Sequence, residues 1–177
     1  LLQHGYAKYN PTVKLKKKEF NTPGFLECMP PNTFIEQPFG TQSSPDFFIK
    51  NNNIIIPLEA KSSKTLTPMY NAGGVKHGFY YLFCSGKTNS STIYRGEDII
   101  TCEQQLLIDE HIRTEKQRVK ILNTQLKNLD TNTRGITFYP RGMICQSGGS
   151  KFTNYFTHQN KIRDEERVFQ YLDTIDK

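Results

Sequence analysis

The sequence predicts an α/β or α+β domain in which a central mixed β-sheet is flanked by helices. The observations are apolar runs of strand length, a helical pattern over residues 101–129 and a shorter one that closes the chain over 162–177. Strands that precede and follow a long helix favour a mixed sheet with helices packed on it. At 177 residues the chain is long enough to bury a core, and we predict a single domain over 1–177.

The stretch SSPDFFIKNNNIIIPLEAKSSK, residues 43–64, is predicted to form a β-hairpin. Its two apolar runs are separated by Asn51 to Asn53, and asparagine tolerates the positive backbone dihedrals of a tight turn. Side chains alternate along a strand, so Glu59 and Lys61 share one face.

The length of the turn decides whether Asp46 joins that face. A turn at Asn51-Asn52 places Asp46 opposite Pro57 and diagonal to Glu59, and a four-residue loop or a bulge also brings it to the same face. A three-residue loop in simple register places Asp46 opposite Leu58, on the other face. We therefore predict one of the first three arrangements.

Two carboxylates and an ammonium group at one strand end favour metal-assisted chemistry. Carboxylate oxygens suit hard divalent cations, and Mg²⁺ characteristically takes one or two protein carboxylates with water and phosphate oxygens. A metal held in this way activates water and neutralises charge on a phosphoryl group. Lys61 is placed to position or deprotonate that water.

The pattern of PD, twelve residues and EAK resembles the motif of the PD-(D/E)xK nuclease superfamily. The resemblance implies that Asp46 and Glu59 are Mg²⁺ ligands, that the Ala60 backbone carbonyl assists them, and that Lys61 is catalytic. It also implies an additional upstream acid, for which Glu36 is the first candidate. The alternatives are a hairpin whose Glu59 and Lys61 form a rim salt bridge, and an exposed loop acid at Glu36.

The charge distribution favours a polyanionic partner. The formal net charge is +6, and the segments 61–95 and 131–163 each contain five basic residues and no acid. Such fields bind nucleic acid by neutralising phosphates and releasing counterions. Lys64, three residues beyond Lys61, is a candidate phosphate contact. A solvated basic face is the alternative.

Thr101 to Leu129 is predicted to be a long helix, because Thr101 and Gln104 match a capping box. Its apolar residues follow a spacing of three and four, interrupted by Glu115: Ile108, Ile112, Val119, Leu122, Leu126 and Leu129. This stripe predicts packing on the sheet, with a dimerisation helix as the alternative. The closing helix is expected to place Ile162, Val168, Phe169 and Leu172 on or near its buried side.

The segment 131–163 is the candidate DNA-recognition region. It is basic and rich in amides, and these side-chain types make paired hydrogen bonds to guanine and adenine edges. The candidate DNA-binding residues in this segment are Arg134, Arg141, Gln146, Lys151, Asn154, Lys161 and Arg163. A hairpin packed by its own aromatic residues is the alternative.

The compact length, the basic segments and the amide-rich final third resemble a type II restriction endonuclease. The resemblance implies a Mg²⁺-dependent, homodimeric enzyme that cuts double-stranded DNA at a specific short sequence in the bacterial cytoplasm. Four cysteines without CxxC spacing favour reduced thiols over zinc, and no run approaches transmembrane length. A structure-specific repair or recombination nuclease and a non-catalytic nucleic-acid-binding module are the alternatives.

Overall fold

Six strands form one mixed β-sheet in the computed structural model, which describes residues 1–11, 28–41, 43–70, 74–129, 135–140, 142–145 and 153–175. The strands are β1 (Ala7–Lys8), β2 (Thr33–Glu36), β3 (Phe47–Asn51), β4 (Ile54–Ser63), β6 (Tyr80–Ser85) and β7 (Ser90–Arg95). They are ordered β1-β2-β3-β4-β6-β7, with β1–β2 and β4–β6 parallel and the other pairs antiparallel. Two short strands, β5 (Met69–Tyr70) and β8 (Ile144–Cys145), pair separately. The predicted mixed sheet is confirmed.

Strands β3 and β4 are joined by the predicted two-residue turn, but it lies one residue later than the sequence suggested. Asn51 pairs with Ile54, so the turn residues are Asn52 and Asn53, and Asn52 has φ 49°. Each residue of β3 therefore faces a partner two positions further along β4 than expected. The last pair of this register is Phe47 with Leu58, so the next residue, Asp46, lies opposite Glu59 and not opposite Pro57.

One face of the sheet is covered by a core of aromatic side chains. The hydroxyl of Tyr70 lies 2.9 Å from that of Tyr94 and 3.1 Å from that of Tyr155. Burial raises the pKa of Tyr70 and of Tyr94, so these phenols stay neutral and satisfy one another as hydrogen-bond partners. Phe83, which is fully buried, packs against the same cluster.

The long helix α1 spans Cys102–Leu129, and its predicted capping box is present. The Thr101 backbone N–H donates to Gln104 Oε1 at 3.0 Å, and the Gln104 N–H donates to Thr101 Oγ1 at 3.2 Å. However, none of the helix residues is buried, and Ile108 is the apolar residue of the stripe that adjoins the aromatic core. The expectation that the whole stripe packs on the sheet is therefore wrong.

The closing helix α2 spans Lys161–Ile175 and packs against β7 and the second face of the sheet. Val168 is fully buried and Leu172 packs beside it, as predicted. Ile162 and Phe169 are 68% and 53% exposed, contrary to expectation, because Asp164 and Val168 occupy the inner side. Among the described residues, no helix has both the length and the apolar character needed to cross a membrane.

Candidate active site

The three residues of the predicted motif meet at a step in the sheet, where β4 extends beyond the start of β3. The last residue pair between these strands is Phe47 with Leu58, and from Glu59 onward β4 continues to pair with β6. Asp46 immediately precedes β3 and turns its carboxylate across the step. Its Oδ2 accepts a hydrogen bond from the Ala60 backbone N–H at 2.8 Å.

Glu59 is buried, with 8% of its surface exposed, and its two carboxylate oxygens are in different situations. Oε1 accepts a hydrogen bond from the Lys61 ammonium at 2.5 Å, while Oε2 is buried without a hydrogen-bond partner among the described residues. Since a buried carboxylate oxygen without a partner is costly, this atom is a natural ligand position for a cation.

The environment of Glu59 raises its pKa. Burial is the largest cause, the hydrogen bond and charge of Lys61 oppose it, and the nearby charge of Asp46 adds to it. Desolvation and a neighbouring carboxylate both disfavour the ionised form, and a bound cation would reverse that preference.

The backbone at Ala60 also offers an oxygen. The residue that would continue β3 opposite Ala60 is Pro45, which has no N–H to donate to the Ala60 carbonyl. Pro45 therefore cannot donate a strand-pairing hydrogen bond to the Ala60 carbonyl, and the Asp46 carboxylate accepts the hydrogen bond from the Ala60 N–H. These positions suit the predicted role of the Ala60 carbonyl beside Asp46 and Glu59.

Lys76 is a further cation at this site, and the spacing of the motif does not predict it. Its ammonium donates to Ser44 Oγ at 2.9 Å, and its positive charge acts to lower the pKa of Glu59. The Lys76 backbone N–H donates to the hydroxyl of Tyr81, the residue paired with Glu59 across β4 and β6. In the sequence, Lys76 is marked only as one of the five basic residues of the acid-free segment 61–95.

The loop that contains Lys76 packs closely against the backbone of Gly96. A Cβ atom added at Gly96 would lie 1.9 Å from the Lys76 carbonyl oxygen, so a larger residue there would displace this loop.

Glu36 lies apart from the other acids. It is paired with Phe47, which is paired with Leu58, and these residues alternate with Asp46 and Glu59. Glu36 thus belongs to the opposite face of the sheet, where its Oε2 lies 2.6 Å from the Lys8 ammonium. The structure does not bring it to the predicted metal site, because strand alternation turns it away.

The described candidates for DNA binding lie at two places. Lys64 is exposed just beyond the end of β4 and lines a shallow groove with Ser63, Gly86 and residues 89–91. It follows Lys61 by three residues, about 10 Å along an extended chain. Its position is compatible with the predicted phosphate contact.

Lys161 and Arg163 lie on α2, which packs on β7, two strands away from β4, whereas Asn154 precedes Tyr155, whose backbone N–H donates to the Leu66 carbonyl beyond the end of β4 at 3.2 Å. Asn154 Oδ1 accepts from the Phe156 N–H, Lys161 pairs with Glu165 at 2.6 Å, and Arg163 pairs with Asp164. These contacts give each side chain a local structural role. Arg134, Arg141, Gln146 and Lys151 lie outside the described residues, so their predicted role stays a prediction.

The donor set at the step is compatible with a divalent cation that keeps much of its water. Within the described ranges, no group of three or more His, Cys, Asp or Glu side chains is placed to hold a metal. Asp46 and Glu59 supply two carboxylates, and Mg²⁺ is often bound by two carboxylates with water and phosphate completing its shell. The unpartnered Glu59 Oε2 is the atom that fits such an ion best.

Comparison of the chain with protein-family models, with curated proteins and with solved structures finds no match. Function is therefore inferred from the geometry of Asp46, Glu59, Ala60 and Lys61 at the step, which we call the hairpin site.

Proposed function

We propose that this chain is a Mg²⁺-dependent deoxyribonuclease of the PD-(D/E)xK type, which hydrolyses phosphodiester bonds of double-stranded DNA. One observation carries the proposal: Asp46, Glu59 and Lys61 meet at the step of the sheet, and the buried Oε2 of Glu59 is left without a partner. A carboxylate buried in this way is destabilising unless a cation completes it, which favours a binding role over a structural one.

The residues divide the chemistry among themselves. When bound, Mg²⁺ would supply a more acidic water and neutralise charge on the phosphate. Asp46 and Glu59 would hold the ion, and the Ala60 N–H fixes the orientation of the Asp46 carboxylate. Lys61 orients the attacking water from its position beside Glu59 Oε1. The water loses a proton to solvent and its oxygen bonds to phosphorus as the bond from phosphorus to the 3′ oxygen breaks. The departing 3′ oxygen takes up a proton from solvent, which leaves 5′-phosphate and 3′-hydroxyl ends.

We propose more specifically that the chain is a homodimeric type II restriction endonuclease of the bacterial cytoplasm, which cuts DNA at a specific short sequence. Its support is the compact length of the chain and the acid-free basic segments 61–95 and 131–163. Recognition of the sequence is assigned to the region 131–163, with Lys64 nearer the scissile phosphate.

The test is a digest of long, mixed-sequence DNA with Mg²⁺, with Mg²⁺ plus chelator, and with Asp46→Ala protein. We expect discrete, chelator-sensitive fragments that disappear with Asp46→Ala, while DNA binding survives. Asp173→Ala is the matched control, because Asp173 is exposed on α2 and should leave cleavage unchanged. Circular dichroism and a thermal melt check that both variants remain folded.

Other outcomes separate the alternatives. Ragged fragments would keep the nuclease and replace sequence recognition by structure-specific repair or recombination cleavage. Intact duplex and branched DNA in every lane, with Mg²⁺-independent DNA binding, would refute the nuclease and leave a non-catalytic binding module.

A further inference from the structure

The first residue of helix α1 is an exposed thiol that contacts an imidazole. Cys102 begins the helix, and its side chain is exposed and free of any disulfide. Its Sγ lies 3.5 Å from His77 Nδ1, within hydrogen-bonding distance for sulfur. Cysteine is among the residue types most often fully buried, so packing does not account for an exposed cysteine that is paired with a base.

The second ring nitrogen of His77 fixes which tautomer the thiol meets. Nε2 lies 2.8 Å from the Ile100 carbonyl oxygen. Because a carbonyl can only accept, Nε2 carries the hydrogen, and in the neutral imidazole Nδ1 is then an acceptor. The Cys102 thiol therefore donates to Nδ1. A nucleophile in contact with a base that is itself oriented by a third group is the arrangement that activates nucleophiles in proteins.

The loop that contains His77 is held in place by backbone contacts. The Gly78 N–H donates to Glu97 Oε1 at 2.8 Å, and the Gly96 N–H donates to the Phe79 carbonyl at 2.9 Å. These bonds tie the loop to the segment that leads into α1. The imidazole is therefore positioned beside the helix start by contacts other than its own bond to the thiol, and the geometry for proton transfer is already formed.

Two features stabilise the charges that proton transfer creates. Cys102 lies in the first turn of a 28-residue helix, where unpaired backbone N–H groups favour a negative charge such as a thiolate. The Glu103 carboxylate lies near the imidazole: its pKa is lowered chiefly by a backbone N–H, next by the Thr101 hydroxyl, and also by the charge of His77. A carboxylate in this position favours the imidazolium form of His77.

We propose that Cys102 is a thiol–disulfide exchange site, which takes up one half of a low-molecular-weight disulfide as a mixed disulfide. The thiol proton passes to His77 Nδ1, and the thiolate sulfur attacks one sulfur of the disulfide. A new S–S bond to Cys102 forms as the original S–S bond breaks, and the departing thiolate takes the proton from His77. The disulfide is the oxidant, since its departing half is reduced to a thiol while Cys102 is oxidised.

The sequence favours a mixed disulfide that persists. Cys102 is not part of a CxxC motif, so a neighbouring cysteine does not displace the captured half. A second small thiol would then release it by the same exchange in reverse. The inference does not depend on the nuclease proposal.

Cys84 provides a comparison within the same chain. Its side chain is exposed on β6, and its paired neighbours across the sheet are Ser62 and Ser91. A serine hydroxyl does not serve as a base toward a thiol at neutral pH. Cys84 should therefore react as an exposed thiol without assistance.

The experiment treats the reduced wild-type chain near pH 7 with substoichiometric 2,2′-dithiodipyridine, a small neutral disulfide, and locates the product by peptide mass mapping. We expect Cys102 to react at least about tenfold faster than Cys84, because the base takes up the thiol proton. Dithiothreitol should reverse the modification. Both rates are measured in one protein, so this comparison does not require a variant to fold.

The variant His77→Gln identifies the base. A glutamine amide can still donate to the Ile100 carbonyl but cannot take up a proton, so Cys102 should react at least about tenfold more slowly while Cys84 keeps its rate. His111→Gln replaces an exposed histidine on α1 and is the matched control, which should leave both rates unchanged. Circular dichroism verifies that each variant retains its helix.

The inference is overturned if Cys102 and Cys84 react at similar rates in the wild-type chain. It is also overturned if His77→Gln leaves the rate of Cys102 unchanged, because the imidazole then only packs beside the thiol. An equal change at both cysteines would likewise count against it, since a general loosening of the fold would then explain the result. DNA cleavage and Mg²⁺ binding are not read out, so failure of the nuclease proposal does not affect the outcome.

Discussion

The hairpin site and helix α1 show opposite relations between polarity and burial. The hairpin carries Glu59, a charged side chain that is 8% exposed, in the middle of the sheet. Helix α1 carries Leu107, an apolar side chain that is 73% exposed, in a regular secondary structure with no buried residue. In this molecule the burial of a side chain therefore depends on whether other strands and helices cover it. The polarity of the side chain alone does not decide it.

The largest expected difference between the two regions is in stability. Phe83→Ala removes a fully buried ring from the aromatic core and should lower the free energy of unfolding by about 3–5 kcal/mol. Leu107→Ala, on the exposed side of α1, should change it by less than about 0.5 kcal/mol in dilute protein. Urea denaturation of both variants measures the two values, and equal losses would show that α1 is packed after all.

A second prediction concerns pH at the hairpin site. The pKa of Glu59 is raised above 4.5 chiefly by burial, so its protonated form is favoured in the folded chain. The protonated Glu59 side chain therefore contributes to folding stability below pH 4.5, and this contribution is lost as the pH rises through its raised pKa. Mg²⁺ requires the ionised form, so its affinity should fall about tenfold per pH unit below that pKa.

Calorimetric Mg²⁺ titrations at several pH values measure this dependence. Asp46 contributes to raising the pKa of Glu59, so Asp46→Asn should move the loss of affinity to lower pH while weakening binding overall. An affinity that stays constant down to pH 4.5 would contradict the assignment of Glu59 as a ligand.

A smaller effect is expected at the start of α1. Thr101→Ala removes the side-chain oxygen that caps Gln104 and should cost about 1 kcal/mol of helix stability. Because α1 lacks buried residues, the loss should appear as faster amide exchange in its first turn and leave the global unfolding midpoint almost unchanged. A matching drop in the global midpoint would couple α1 to the sheet more tightly than its exposure indicates.

The smallest effect is expected at Glu36. Its pair with Lys8 is exposed on both sides, and such pairs contribute about 0–1 kcal/mol. Glu36→Gln should therefore change neither stability nor Mg²⁺ affinity measurably. A weakening of Mg²⁺ binding as large as that of Asp46→Asn would restore Glu36 as a ligand.

Local sequence patterns were sufficient for the parts of the fold that depend on neighbouring residues. The three asparagines indicated a turn between two strands, and a two-residue turn was one of three predicted arrangements that set Asp46, Glu59 and Lys61 on one face. The sequence did not distinguish Asn51-Asn52 from Asn52-Asn53, because either pair can form such a turn.

Long-range packing was beyond the same reasoning. Lys76 reaches the site through Ser44, thirty-two residues earlier in the chain, and through the Tyr81 hydroxyl. No spacing rule anticipates such a contact. The amphipathic stripe of α1 indicated a buried side, but a stripe specifies only that a partner is favourable and does not identify the sheet as that partner.

The Asn52-Asn53 turn is the place where this hairpin can change length without losing its chemistry. Residues added inside the turn leave Asn51 paired with Ile54, so Asp46 and Glu59 stay on one face. One residue added to the strand between Asp46 and Asn51, or between Ile54 and Glu59, would instead move a carboxylate to the far side of the sheet, because side chains alternate along a strand. Descendants that retain the hairpin chemistry should therefore vary in the length of the turn and keep the lengths of these two strand segments, or carry a compensating bulge.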